Sequence, residues 1–294
     1  AESEHEANSL QLLQVASGKL RVAPVCGVLW FYHIPKTGGT SVKAWLDGLK
    51  KEGALEDVFN LNDNDPVINF TAFHEEKIRP LLRNMKGKLV AVHHHHHGPG
   101  LYGMDSYFSD VKKKLSSQGC SLTRLTVLRE PVSNFMSASN YLVQISQQRE
   151  IPMHLQNVSA RDDFFREQCG KLRRDNAQVR YILNNFADEM DDEGSEFPMP
   201  LGGSNEDALK AAEAILDGFE VVGLMEELEK SLGKVAELLK LPNVEVPHEN
   251  ARAASHQKYD DQPLPDDVNA LIKERTKFDS KLYARFLLAA MFSE

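Results

Sequence analysis

The stretch Val25-Cys-Gly-Val-Leu-Trp-Phe-Tyr-His33-Ile-Pro-Lys36-Thr-Gly38-Gly39-Thr-Ser41-Val-Lys-Ala-Trp45-Leu-Asp-Gly-Leu49 decides the fold. Val25–His33 is a continuous apolar run centred on Trp30-Phe31-Tyr32, the pattern of a strand buried on both faces. Ile34–Gly39 breaks it with a proline and two glycines. Val42, Trp45, Leu46 and Leu49 then fall at i, i+3, i+4 and i+7, one face of a helix. Thr40 or Ser41 is placed to cap that helix. The unit is strand, glycine loop, helix.

Outward from it the same grammar repeats. Ile78–Met85 reads as a short helix after a turn-rich loop at Asn60–Pro66. Leu89–Val92 reads as a second buried strand running into five histidines, His93–His97. Leu122–Leu128 is a third strand, and Pro131 opens a helix with Val132, Phe135, Ser139 and Leu142 on one face. That junction is a second candidate anion site at a helix start. Phe164–Phe186 is mostly helical, Asp207–Leu216 a helix, Phe219–Leu224 a strand, Met225–Leu241 a helix and Val268–Phe292 one long final helix. Strands alternating with helices predict one α/β domain over 21–294, with a mainly parallel central sheet flanked by helices and its ligand at the carboxyl edge. Residues 1–20 read as a poorly ordered terminus and 188–207 as a mobile acidic loop.

Composition narrows the function classes. The chain has 294 residues, 41% hydrophobic and 26% charged, enough to bury a large core without staples. Its net charge of -9 speaks against nucleic acid or anionic membrane as a bulk-charge partner. Its longest apolar runs fall far short of the roughly 20 residues that span a bilayer. The three cysteines, Cys26, Cys120 and Cys169, form no framework and no zinc motif. One disulfide beside one free thiol fits the count, but all three read as packed residues. The sequons at Asn69-Phe-Thr71 and Asn157-Val-Ser159 do not settle secretion. A first residue Ala1 points to a segment removed upstream: a signal peptide, a membrane anchor or a trimmed end.

The chemistry lies in the glycine loop. Glycines at a strand-to-helix turn let backbone N–H groups close around an oxyanion, and the helix N-terminus adds about half a positive charge. Lys36 supplies a full charge and Thr37, Thr40 and Ser41 supply hydroxyls. In a Walker A loop the lysine follows the glycines; here it precedes them. The second segment, Thr126-Val-Leu-Arg129-Glu-Pro-Val-Ser-Asn-Phe-Met-Ser137, ends a strand with Arg129 and sets Ser137 two helical turns later. An arginine fork with a hydroxyl suits a phosphate.

Together the two segments resemble the sulfotransferases that use 3′-phosphoadenosine 5′-phosphosulfate (PAPS). Pro35-Lys-Thr-Gly-Gly-Thr-Ser41 is similar to the 5′-phosphosulfate loop of their membrane-bound carbohydrate branch. Leu128-Arg-Glu-Pro-Val132 with Ser137 is similar to their 3′-phosphate site. Three further stretches resemble the heparan sulfate 2-O/6-O-like group: Asn176-Ala-Gln-Val-Arg180, Val222-Gly-Leu-Met-Glu226 and Phe278-Asp-Ser-Lys-Leu-Tyr283. The resemblance implies a P-loop-like domain that moves a sulfuryl group from PAPS to an acceptor hydroxyl, on a carbohydrate, a small metabolite or a tyrosine. It implies Lys36 at the bridging oxygen, Thr37, Gly38, Gly39, Thr40 and Ser41 around the 5′-phosphosulfate, and Arg129 and Ser137 on the 3′-phosphate. It also implies Arg252, in a late loop at 250–255, as a second arginine there. No metal is required if Lys36 and the helix dipole carry the charge. The resemblance favours a Golgi or secretory setting, and a cytoplasmic one also fits.

The base is expected in the histidine run, with His95 or His96 taking the acceptor proton, because alternate residues of a strand face opposite sides and one set looks into the cleft. His33 reads as structural, beneath the loop or facing the cleft. Two rivals remain at this level. A nucleotide-dependent phosphoryl transferase is disfavoured by the absent Walker order. A non-catalytic nucleotide- or metal-binding module would make the histidine run its working part.

Overall fold

A computed structural model describes residues 26–61, 70–95, 100–146, 158–171, 175–184, 204–246 and 263–292. Five strands form one sheet: β1 (Gly27–Tyr32), β2 (Asp57–Leu61), β3 (Leu89–His94), β4 (Ser121–Leu128) and β5 (Val221–Leu224). All pairings are parallel and the order is β2-β3-β1-β4-β5. The chain leaves β1 toward β2 and β3 on one side, then crosses back to β4 and β5 on the other. Connections that diverge in this way leave a crevice at the carboxyl edge, between the loops after β1 and β4.

The helices are α1 (Gly39–Lys51), α2 (Phe70–Phe73), α3 (Arg79–Arg83), α4 (Asp105–Ser116), α5 (Pro131–Ser146), α6 (Val158–Lys171), α7 (Ala177–Asn184), α8 (Asn205–Asp217), α9 (Leu228–Leu239), α10 (Asp266–Arg275) and α11 (Lys277–Met291). Every residue of β1 is buried, as its two-sided apolar run requires. Leu29 and Phe31 pack with Val42, Trp45, Leu46 and Leu49 of α1 and with Leu232 and Val235 of α9. Val28, Trp30 and Tyr32 face the other way, into a layer holding Phe108 of α4, Ile182 of α7, Leu209 of α8 and Leu282 of α11. A satellite cluster of Phe135, Phe165, Val268 and Ile272 joins α5, α6 and α10.

Several expectations are corrected. Asn60 and Leu61 belong to edge strand β2 rather than to a loop; a five-residue strand of mixed polarity has too short a pattern to read. The helical segment before β3 starts at Phe70 and passes through a π-helical turn, His74–Ile78, before α3. The 164–186 helix is two helices, α6 and α7, and the final helix is broken at Thr276 into α10 and α11. α8 starts at Asn205, capped by Ser204 with Asp207 in return, so the end of the 188–207 loop is helix. The strand expected from Phe219 begins at Val221, and a 3-10 turn, Met225–Glu227, precedes α9. Cys26 and Cys120 are not merely packed: they form a disulfide across the amino ends of β1 and β4, while Cys169 is a buried free thiol. Residues 1–20, and 188–203 of the acidic loop, lie outside the described residues. Among those described, no helix is long and apolar enough to cross a membrane.

Candidate functional site

The glycine loop is built by close packing. Lys36 takes a left-handed backbone, φ 65°, which costs a non-glycine residue strain. The Thr37 hydroxyl donates to the Ile34 carbonyl at 2.7 Å, and the residue is fully buried. Gly38, φ 88°, is the N-cap of α1, and a Cβ there would lie 2.2 Å from Met225 Sδ. At Gly39 a Cβ would lie 1.8 Å from His33 Nε2. His33 is therefore the floor of the loop, which settles the orientation its sequence left open.

The helix begins earlier than Thr40 or Ser41 as cap would allow. Gly38 offers no side-chain cap, Thr40 and Ser41 sit inside the first turn, and that turn contains no acidic residue. Its backbone N–H groups have no intrahelical acceptor and carry the positive end of the helix dipole. The start of α5 is different. The Glu130 carboxylate accepts from the backbone N–H groups of Val132, at 3.1 Å, and Ser133, at 2.7 Å. The chain's own carboxylate fills the anion position at those N–H groups.

Arg129 and α5 nevertheless close on the first loop. Arg129 Nη1 donates to the Lys36 carbonyl at 3.0 Å, and Asn134 Nδ2 to the Pro35 carbonyl at 3.1 Å. The Lys36 ammonium lies 4.1 Å from the centre of the Tyr141 ring. Ser137 is three residues after Asn134 and four before Tyr141, on the helical face both share. The structure thus brings Lys36, the start of α1, Arg129 and the Ser137 face of α5 together.

The histidines divide as strand alternation requires. His94 is fully buried against Trp30 and Tyr32. His93 and His95 lie on the loop side with His33. His33 and His95 stack with ring centres 3.7 Å apart. His95 Nδ1 lies 3.1 Å from the His33 carbonyl oxygen and 3.4 Å from the Tyr181 hydroxyl; a neutral ring that donates from Nδ1 to the carbonyl leaves its lone pair on Nε2. His93 Nδ1 is 3.1 Å from Asn60 Oδ1, and its Nε2 is 3.0 Å from His33 Nδ1. With Oδ1 accepting, His93 donates to Asn60 and accepts from His33. Rings stacked in parallel do not converge their lone pairs, and among the described residues no group of histidines, cysteines or carboxylates could hold a metal ion. His96 and Arg252 lie outside the described residues.

The three stretches that sequence reading noted only as resemblances form one hydrogen-bond network behind Arg129. Gln178 Oε1 accepts from the Arg129 N–H and its Nε2 donates to the Arg129 carbonyl, both at 2.9 Å. The Asp279 carboxylate accepts from the N–H groups of Gln178, at 3.1 Å, and Val179, at 2.8 Å, capping α7. In return Asn176 Oδ1 accepts from the N–H groups of Phe278, at 2.6 Å, and Asp279, at 3.2 Å, capping α11. Glu226 accepts from the Glu130 N–H and from the Tyr283 hydroxyl, each at 2.9 Å. Burial pushes the Asp279 carboxyl up to about 7, against the pull of its two backbone donors and Arg180. Burial, then the Glu226 carboxylate, raises the Tyr283 hydroxyl. No periodicity marks these residues, which sit at helix starts and in a turn; the signal that singled out their stretches was the resemblance.

No protein-family profile matches the chain, and no curated protein does. Among solved structures it is similar to a sulfotransferase from Alicyclobacillus acidocaldarius, with 12% identity over 87% of this chain and 94% of that one and a TM-score of 0.35. It is also similar to a chain of the PezAT chromosomal toxin-antitoxin system of the human pathogen Streptococcus pneumoniae, with 12% identity over 97% of each chain and a TM-score of 0.30. Likenesses this distant distinguish between no two activities, so the case for function rests on the loop, Arg129 and the histidines.

Proposed function

We propose that the protein is a PAPS-dependent sulfotransferase acting on an acceptor hydroxyl, with a carbohydrate the favoured acceptor. The observation that carries the reading is the start of α1, with a glycine N-cap and no acidic residue in its first turn, beside Lys36, whose carbonyl accepts from Arg129. The donor set fits a ligand with two anionic groups: helix N–H groups and an ammonium for one, a guanidinium with the Ser137 face of α5 for the other. When bound, the cofactor supplies the sulfuryl group, whose bond to the bridging oxygen breaks as its bond to the acceptor oxygen forms.

The residues have separable roles. Lys36 and the N–H groups of Gly39, Thr40 and Ser41 hold the charge that grows on the leaving 5′-phosphate. Arg129 and Ser137 hold the 3′-phosphate. His95 Nε2 accepts the acceptor's proton, with Nδ1 donating to the His33 carbonyl. Arg252 is retained from the resemblance, for the second phosphate, and His96 from its place at the strand end, as an alternative base. Sulfuryl transfer, like phosphoryl transfer, asks mainly for placement and charge stabilisation, so the reading needs no metal. The Cys26–Cys120 disulfide supports an oxidising compartment such as the Golgi lumen.

Calorimetric titration tests the reading. Adenosine 3′,5′-bisphosphate is expected to bind in the micromolar range, adenosine 5′-monophosphate much more weakly, and Arg129→Ala to abolish the difference. Folded protein that ignores the bisphosphate but binds ATP with Mg²⁺ would overturn it in favour of phosphoryl transfer.

A further inference from the structure

The peptide that carries Arg129 is held from both sides by side chains distant in sequence. Arg129 follows the last residue of β4, where ladder hydrogen bonding stops, and Pro131 cannot donate. The backbone groups between them are taken up by side chains instead. Gln178 binds the Arg129 N–H and carbonyl together, as a strand neighbour would, and Glu226 takes the Glu130 N–H. Gln178 is 1% exposed, so a wrongly turned carboxamide would strand buried polar atoms. Its own backbone N–H is bound by Asp279, whose place is set by Asn176. Arg129 is thus pinned at its backbone by Gln178 and at its guanidinium by the Lys36 carbonyl. A long side chain pinned at both ends has lost most of its rotamer freedom before any ligand arrives.

We propose that Gln178 is a positioning residue that presets Arg129 for the second phosphate group of the nucleotide, so that the preference for two phosphates over one depends on a carboxamide that touches neither. The inference rests on the cofactor reading above. Its prediction is selective: disturbing Gln178 weakens recognition of the 3′-phosphate and spares the 5′-phosphate, which the α1 start and Lys36 hold. A merely structural carboxamide would, on removal, weaken both nucleotides alike or neither.

The test is Gln178→Met, which keeps length and volume and removes both hydrogen-bonding atoms, with Gln178→Glu beside it, which keeps the acceptor for the Arg129 N–H and turns a carboxylate oxygen to the Arg129 carbonyl. Each variant and the parent are titrated with adenosine 3′,5′-bisphosphate and adenosine 5′-monophosphate, and melting confirms the fold. The expected result is a bisphosphate Kd raised on the order of tenfold, as when partners that orient a binding group are lost, with the monophosphate Kd nearly unchanged. A preference for the bisphosphate that survives in either folded variant overturns the inference alone. A parent protein with no such preference overturns the cofactor reading and this inference with it.

Discussion

Gly39 has no room for a methyl group, because the His33 imidazole lies where its Cβ would be. Gly39→Ala is expected to cost about 1–3 kcal/mol, the usual range for overpacking, read as a lower melting temperature. Nucleotide affinity should fall with it, since the loop is displaced from its floor. On the proposed function, Lys36→Ala should leave the fold intact and lower the rate of the proposed sulfuryl transfer roughly 10²–10³-fold, as when one preorganised donor is removed; a loss under tenfold would take Lys36 out of the proposed leaving-group role. At this scale the loop was legible in the sequence as a strand-to-helix turn, since Pro35 and the Gly38-Gly39 pair break the apolar run before the helix. The histidines were legible only in part. Alternation separated His94 from His93 and His95, but the groups that meet the rings, Asn60 of β2, His33 after β1 and Gly39 at the start of α1, come from other parts of the fold.

α7 and α11 cap each other, Asp279 serving one helix start and Asn176 the other. Helix starts without such partners leave N–H groups unsatisfied, so each helix start depends on the other's side chain. The Asp279 carboxyl is raised from 3.8 to about 7 by burial. A carboxyl raised in the folded state contributes stability that is complete below its unfolded value and is lost as pH climbs through about 7. Between pH 5 and pH 8 the parent should therefore lose stability relative to Asp279→Asn, on the order of 1–3 kcal/mol, seen as converging melting temperatures. A constant gap between the two across that range would show that Asp279 is ionised throughout. Strong elements such as β1, β4 and α1 were readable because burial on one or both faces imposes a period. β2, the π turn and the break at Thr276 were not, because a short edge strand and a helix offset leave almost no periodic trace.

Across the whole molecule the Cys26–Cys120 disulfide ties the amino ends of two neighbouring strands over a sequence separation of 94 residues, at the edge opposite the site. Closing so long a loop restricts the unfolded chain, and its loss is expected to cost about 3–5 kcal/mol. Melting with and without reductant measures that cost. Thiol titration of the unfolded, unreduced protein should find a single reactive cysteine, Cys169; three would show that the pair is not joined. Reduction should leave the loop and Arg129 in register, since they lie at the other end of β1 and β4, so bisphosphate affinity should change little below the melting temperature.

Residue order alone carried the α/β class, the central strand, the glycine loop and the charged groups suited to an anion, because those properties depend on local period and residue chemistry. Only the tertiary structure decided that Arg129 meets Lys36, that Glu130 fills its own helix start, that His33 floors the loop and that Gln178 holds Arg129. The Arg129 contacts with Lys36 and Gln178 join residues separated by tens of positions along the chain, and the other two depend on how the turns after β1 and β4 are placed. Hydrogen bonding and packing between such residues follow from strand order and helix placement, which no local pattern encodes.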